Sequence, residues 1–158
     1  MALKAEKKIF RIIKKKVIQR EDGKDYMVRY SLPTFNWLPF SLKIHKILLS
    51  DDFCLHDHPW LFYSLILKGG YWEHTPPVDQ HKNDITSSYN GIDSVNKWIG
   101  PGSFIKRPAH WIHRLEIPEN KPCWTFVITM NKSREWGFFT KKFGFLNWKN
   151  YNSEEHCE

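Results

Sequence analysis

No stretch of this 158-residue chain approaches the roughly 20 consecutive apolar residues that cross a bilayer. The N-terminus, MALKAEKKIFRIIKKK, also lacks the uninterrupted apolar segment of a secretory signal, so a cytoplasmic location is expected. Cysteine is scarce: Cys54, Cys123 and Cys157 have no paired spacing, which argues against a disulfide framework and a CxxC zinc site and predicts reduced thiols. There is no Gly-rich phosphate loop, no recognisable Ser/His/Asp set and no paired-carboxylate arrangement, so nothing supports phosphoryl transfer or triad hydrolysis. Internal repeats, low-complexity tracts and long linkers are absent as well, which predicts one domain with one core.

What is present in quantity is aromatic and apolar surface. The chain is 41% hydrophobic and 16% aromatic, with 8 Trp and 11 Phe, enough to build a core or line a ligand pocket. The net charge of +7 has a local origin. Eight of the 24 Lys and Arg residues lie in the first 20 positions with a single Glu, and the remainder of the chain is balanced, so no whole-protein basic face is expected. Ile9, Ile13 and Val17 fall at helical spacing beside Phe10, which predicts a short basic amphipathic helix over residues 1–18. Two roles are open to it: a solvated helix packed on the domain, or a surface for nucleic acid, anionic lipid or a partner.

Beyond that segment the pattern turns extended. KVIQR-EDGK-DYMVRY reads as a hairpin, because Asp22-Gly23 tolerates the positive φ of a tight turn. FSLKIHKILL, FCLHDHPW, FYSLILKGGYWEH, SFIKRP, WIHRLEI and CWTFVITM are short, rich in β-branched and aromatic residues, and bounded by turn residues. Many short strands of this kind predict an all-β antiparallel barrel or sandwich over residues 19–151. Residues 75–97 read as a long loop, a lid, a binding loop or a mobile insertion, and the polar tail 152–158 as disordered.

The chemistry concentrates in FCLHDHPWLF. Strand alternation puts His56 and His58 on one face, together with Cys54, Trp60 and Phe62. Two imidazoles so placed can reach one ion. Cys54 is a further conceivable ligand, with a buried core thiol as the simpler reading. In WIHRLEI, His113 shares its face with Trp111, Leu115 and Ile117, while His110 precedes the strand.

These residues resemble the cupin superfamily, whose motifs are G(x)5HxH(x)3–4E(x)6G and G(x)5PxG(x)2H(x)3N. His56-x-His58 followed by Gly69 matches the first spacing, and Gly102, Pro108 and His113 match the second. The identities depart in places. The motif glutamate falls at Phe62 or Tyr63, the second glycine at His110, the asparagine at Ile117 and the first glycine at Ser50. The resemblance implies a small jelly-roll barrel holding a metal on His56, His58 and His113 without the acid. That set looks like the neutral three-histidine iron centres of cupin thiol dioxygenases, so Fe(II) is the leading ion, with Ni, Mn or Zn as alternatives. Asp57 has the wrong parity to replace the glutamate, while Glu73 is placed to reach in from the next strand. A closer resemblance, over residues 43–151, is to bacterial and phage cupin-like proteins with HDHPW and REWGF signatures and no established activity.

Other candidates surround these motifs. Arg107, Arg114 and Arg134 are the nearest fixed cations, and an arginine fork holds a carboxylate or phosphate; Arg114 better suits an outer face. Tyr63, Tyr71 and His110 are candidate acid/base groups. In REWGFF, Glu135 offers an ion pair and Trp136 a closure of the barrel. Three functions are then open: an Fe(II) dioxygenase-like enzyme on a small molecule, a metal-dependent isomerase or epimerase on a sugar or nucleotide-linked ligand, or a non-enzymatic binding protein. A homodimer, and nucleic acid bound through the basic N-terminus, are the expected macromolecular partners.

Overall fold

The protein was analysed as a computed structural model, which describes residues 13–20, 22–80, 89, 93–119 and 121–152. Among the described residues, twelve strands and one short 3-10 turn account for the regular structure. In chain order they are β1 (Lys14–Gln19), β2 (Asp25–Ser31), β3 (Phe40–Ile47), β4 (Leu55–His56), β5 (Phe62–Lys68) and β6 (Tyr71–Thr75). They continue with β7 (Val95–Ile99), β8 (Phe104–Arg107), β9 (Arg114–Glu116), β10 (Cys123–Met130), β11 (Gly137–Thr140) and β12 (Gly144–Asn147). Among the described residues no helix is long and apolar enough to cross a membrane.

One layer is a six-stranded antiparallel sheet in the order β1-β2-β3-β10-β5-β8. The other is built from two three-stranded sheets, β12-β11-β4 and β7-β6-β9. A bridge between His56 and His113 joins these two, since β4 ends at His56 and β9 begins just after His113. The layers meet in an apolar cluster of Met27, Ile47, Ile66, Tyr71, Ile99, Ile117 and Cys123, with a second cluster of Leu55, Ile112 and Phe139. Ile66 is only 1% exposed, and burial of such a side chain contributes about 1.5–3 kcal/mol.

The expected hairpin forms as β1 and β2, with Gly23 at φ +80 in the turn. This pairing overrides the expected N-terminal helix. Val17 and Ile18 are β-branched and find partners in Val28 and Met27, and three lysines at 14–16 charge the exposed edge of the sheet. Ile9 and Phe10, the other half of the helical pattern, lie outside the described residues. The segment 75–97 is likewise not loop throughout: β6 includes Thr75 and β7 begins at Val95, pairing residue for residue with it.

FCLHDHPW yields only two strand residues. Pro59 has no N–H to extend a ladder, and the His58 N–H instead donates to the Ala109 carbonyl at 3.0 Å. Cys54 is disulfide-bonded, contrary to the reduced thiol expected from spacing, while Cys123 is free and buried. A disulfide sulfur is not a thiolate ligand, which removes Cys54 from the metal candidates.

Candidate metal centre

β4 and β9 bring the histidines together through their backbones. His56 N donates to His113 O at 2.8 Å, and His113 N returns a bond to His56 O at 2.9 Å. Gln80, 1% exposed, clamps the residue before His113: the Ile112 N–H donates to its Oε1 at 2.7 Å and its Nε2 donates to Ile112 O at 3.1 Å. The available ligand nitrogens of His56, His58 and His113 all lie within 4.8 Å of one another. Three residues from two separate stretches of chain therefore converge on one point.

The chemistry of the set fits a divalent cation. Burial pushes His56 down to about 4 and His58 well below its ordinary value, so both imidazoles are neutral at physiological pH, as ligands must be. His56 Nδ1 is buried without a hydrogen-bond partner. His113 Nδ1 lies 2.8 Å from Glu73 Oε1, and a carboxylate only accepts, so Nδ1 carries a proton and donates. His113 Nε2 sits 2.8 Å from His58 Nε2. An orphaned nitrogen and two apposed imidazole nitrogens are what a cation would satisfy.

Glu73 stands behind His113 rather than among the ligands. Its carboxylate also receives Arg107 Nε at 2.8 Å, Arg107 Nη2, and Trp111 Nε1 at 3.3 Å. Burial alone would raise the Glu73 carboxyl, but the bonds from His113 and Arg107 outweigh it and hold it at about 2. Phe62 occupies the place of the motif acid, its ring edge-on to His58 with centroids 4.9 Å apart. An aromatic face thus stands where a charged ligand would be.

The histidines wall a cavity of about 140 Å³ between the layers. Strand alternation fills its opposite wall with Met27 and Arg29 from β2, Lys43 and His45 from β3, Ser64 from β5, and Thr125, Val127 and Thr129 from β10. His56, Tyr26 and Asp51 also border an outer groove of about 570 Å³ flanked by Trp136, Phe138, Trp148 and Tyr151. The Trp136 and Trp148 rings stack at 5.9 Å, and Phe138 and Tyr151 at 3.6 Å. The centre therefore lies between an inner chamber and an aromatic mouth.

The remaining sequence candidates fall in different places. Tyr71 lines the cavity, and burial, then Glu73, pushes its hydroxyl far above the usual range. Tyr63 projects from the opposite face of β5 and stacks on Phe104. His110 lies 3.4 Å from the Gln80 carbonyl and does not border the cavity. Arg107 is committed to Glu73, and Arg134 to Asp57, Nη1 standing 2.8 Å from Oδ2 as an ion pair. Arg114 is on the outer side, its guanidinium near His74, Glu116 and the Phe53 ring. Glu135 pairs with Lys132 at the surface.

Sequence reasoning passed over Tyr26, Arg29, Lys43, His45 and Asp51. The signal for two of them, Lys43 and His45, was the alternation in FSLKIHKI, where they share a parity with Ser41. The apolar partners Leu42 and Ile44 invite the opposite orientation, with the polar set in solvent. A polar-lined chamber reverses that choice.

Comparison with solved structures gives the fold. The chain matches a cupin-2 domain protein from Rhodospirillum rubrum with a TM-score of 0.58 and 14% identity, covering 82% of this chain and 76% of that one. The fold is that of a cupin. The polyketide cyclase RemF from Streptomyces resistomycificus superposes with a TM-score of 0.55 at 18% identity, covering 77% of each chain. An iron(II) form of HppE matches with a TM-score of 0.53 at 10% identity over 75% of this chain and 56% of its own length. No family model and no curated protein sequence matches the chain. At these identities the likeness carries the cupin architecture alone.

Proposed function

We propose that this cupin-fold protein is a metal-dependent enzyme of the non-haem iron dioxygenase type, acting on a small molecule. The observation that carries the proposal is the convergence of His56, His58 and His113 on the wall of a chamber, with no carboxylate in that group among the described residues. Bound ferrous iron would supply open coordination positions and one-electron chemistry with O₂. The chain's own residues do the rest. Glu73 holds the His113 proton on Nδ1 and fixes the ring plane, and Arg107 keeps Glu73 ionised. Phe62 keeps water and charge away from His58. The iron(II) form of HppE shows that a cupin-like fold carries ferrous iron, which supports this choice among Fe, Ni, Mn and Zn.

One feature favours a second reading, a metal-dependent isomerase or epimerase. Tyr26 donates its hydroxyl proton to Asp51 Oδ1, and both residues line the chamber, an arrangement suited to moving a proton on a bound molecule. Oxygen uptake by the iron-loaded protein, screened over small metabolites, separates the two readings. Substrate-dependent consumption supports the oxygenase, and substrate conversion without consumption supports the isomerase.

A further inference from the structure

The chamber contains two cations that the histidine centre does not require. Arg29 and Lys43 come from neighbouring strands and project from the six-stranded sheet towards the histidines. Arg29 Nε donates to His45 Nε2 at 3.2 Å, which uses one of the five guanidinium N–H groups. Lys43 Nζ donates to Ser41 Oγ at 2.7 Å and to Thr129 Oγ1, which leaves one ammonium proton. Neither residue forms an ion pair among the described residues. Among the described residues the single carboxylate lining the chamber is Asp51, whose oxygens already accept from Tyr26 Oη and from Leu115 N at 2.6 Å.

Two half-buried cations without a counter-charge are costly, because each loses hydration that neutral hydroxyls replace only in part. The cost shows in Lys43, which burial, and then Arg29, pushes down to about 8. Apolar side chains would fill the same inward positions of β2 and β3 with no such penalty. The pair makes physical sense as a receptor for negative charge.

We propose that Arg29 and Lys43 form an oxyanion-binding subsite, so that the molecule taken up beside the three histidines is a small carboxylate or phosphate-type anion. The guanidinium edge supplies paired donors for two oxygens and the ammonium a third, and Thr129 and Ser41 fix the Lys43 position. His45, neutral because burial and then the two cations hold it at about 3, orients Arg29 without adding charge. The chamber of about 140 Å³ compares with engineered cavities of about 150 Å³ that hold benzene, so the ligand has about six heavy atoms. Longer molecules would extend past His56 into the aromatic mouth. This assignment of substrate class rests on the chamber being the site proposed above.

The test uses the full chain loaded with iron, and titration calorimetry with four probes: lactate, its neutral amide, methylphosphonate and inorganic phosphate. At least one anion binds while lactamide does not, and the order among anions tells the carboxylate from the phosphate class. Lys43→Met and Arg29→Gln each weaken that binding about tenfold or more, the usual loss for one charged hydrogen bond. Both variants keep the metal content of the parent, and Lys43→Met melts at a higher temperature because the burial penalty is gone. No anion binding more tightly than lactamide, unchanged affinity in both variants, or a lower melting temperature for Lys43→Met with anion binding retained overturns the proposal. Anion binding by a protein that takes up no metal would sink the metal reading and leave this one standing; metal uptake without anion selectivity would do the reverse.

Discussion

His56 and His113 are hydrogen-bonded to each other through their backbones, 2.8 and 2.9 Å in the two directions, and this single pair is also the seam between the two smaller sheets. The fold and the candidate centre thus share one element. The rings stand 5.3 Å apart at their centroids because the strands carrying them are joined there. Anything that loosens the seam moves both imidazoles.

Glu73 tests how far His113 depends on its support. Glu73→Gln keeps an acceptor of similar size but loses the charge that Arg107 and His113 share, and Glu73→Ala loses both. Metal affinity is expected to fall about 10-fold to 100-fold in Glu73→Ala and less in Glu73→Gln, the range for loss of such support. Competition with a chromophoric chelator measures it. Equal affinity in all three proteins would show that the carboxylate has no part in the centre.

The Asp57–Arg134 pair is a stability device. Asp57 is fully buried between the two histidines in sequence, accepts from Gly137 N at 2.9 Å and faces Arg134, which ties the HDHPW segment to β11. Asp57→Ala leaves Arg134 and the Gly137 N–H without that partner and is expected to cost about 3 kcal/mol, read from chemical denaturation. Arg134→Met, which leaves a buried carboxylate, is expected to destabilise in the same direction.

Gly137 has a steric role in the same place. A Cβ there would lie 2.0 Å from the Leu146 carbonyl oxygen, at the end of the β11–β12 pairing. Gly137→Ala is expected to lose about 1–3 kcal/mol, the range for overpacking, and to disturb the Trp136 and Phe138 rings at the mouth. A melting curve unchanged from the parent would contradict this.

His45 and Lys43 predict the pH dependence of stability. The folded pKa of His45 is lowered to about 3 from 6.5 by burial, then by Arg29 and Lys43, so its contribution is complete above about 6.5 and is lost as pH falls towards 3. Lys43 is lowered to about 8 from 10.5, so its burial penalty is complete below about 8 and is relieved as pH rises towards 10.5. Stability therefore rises with pH in both windows. Glu73, held at about 2, adds a slope of the same sign below about 4.5, so differences between proteins are the readout. His45→Gln should flatten the acid window and Lys43→Met the alkaline one; parallel curves for parent and variants would refute both.

Much of this was legible in the sequence, for identifiable reasons. Turn chemistry and β-branched runs located β2, β3, β5, β6, β8 and β10, and the Asp22-Gly23 turn located the first hairpin. Histidine spacing located the three residues that converge. The N-terminal pattern misled because Ile13 and Val17 satisfy a helical period, whereas their neighbours Lys14 to Ile18 gain cross-strand partners that an isolated helix lacks. The pairing of Arg107 with Glu73 and of Arg134 with Asp57 joins residues distant in the chain, and no local pattern encodes it. Lys43 and His45 were hidden by polarity: a strand facing a polar chamber has the same alternation as one facing water.

The central claim is that His56, His58 and His113 hold a metal ion, and metal stoichiometry after anaerobic purification tests it most directly. Elemental analysis of the parent is predicted to give about one transition-metal ion per chain, iron above nickel, manganese and zinc. His56→Ala, His58→Ala and His113→Ala should each reduce that to background while the far-ultraviolet spectrum of a β protein persists. A parent protein that takes up no metal when supplied with it, or three histidine variants that retain the parent's content, would contradict the account.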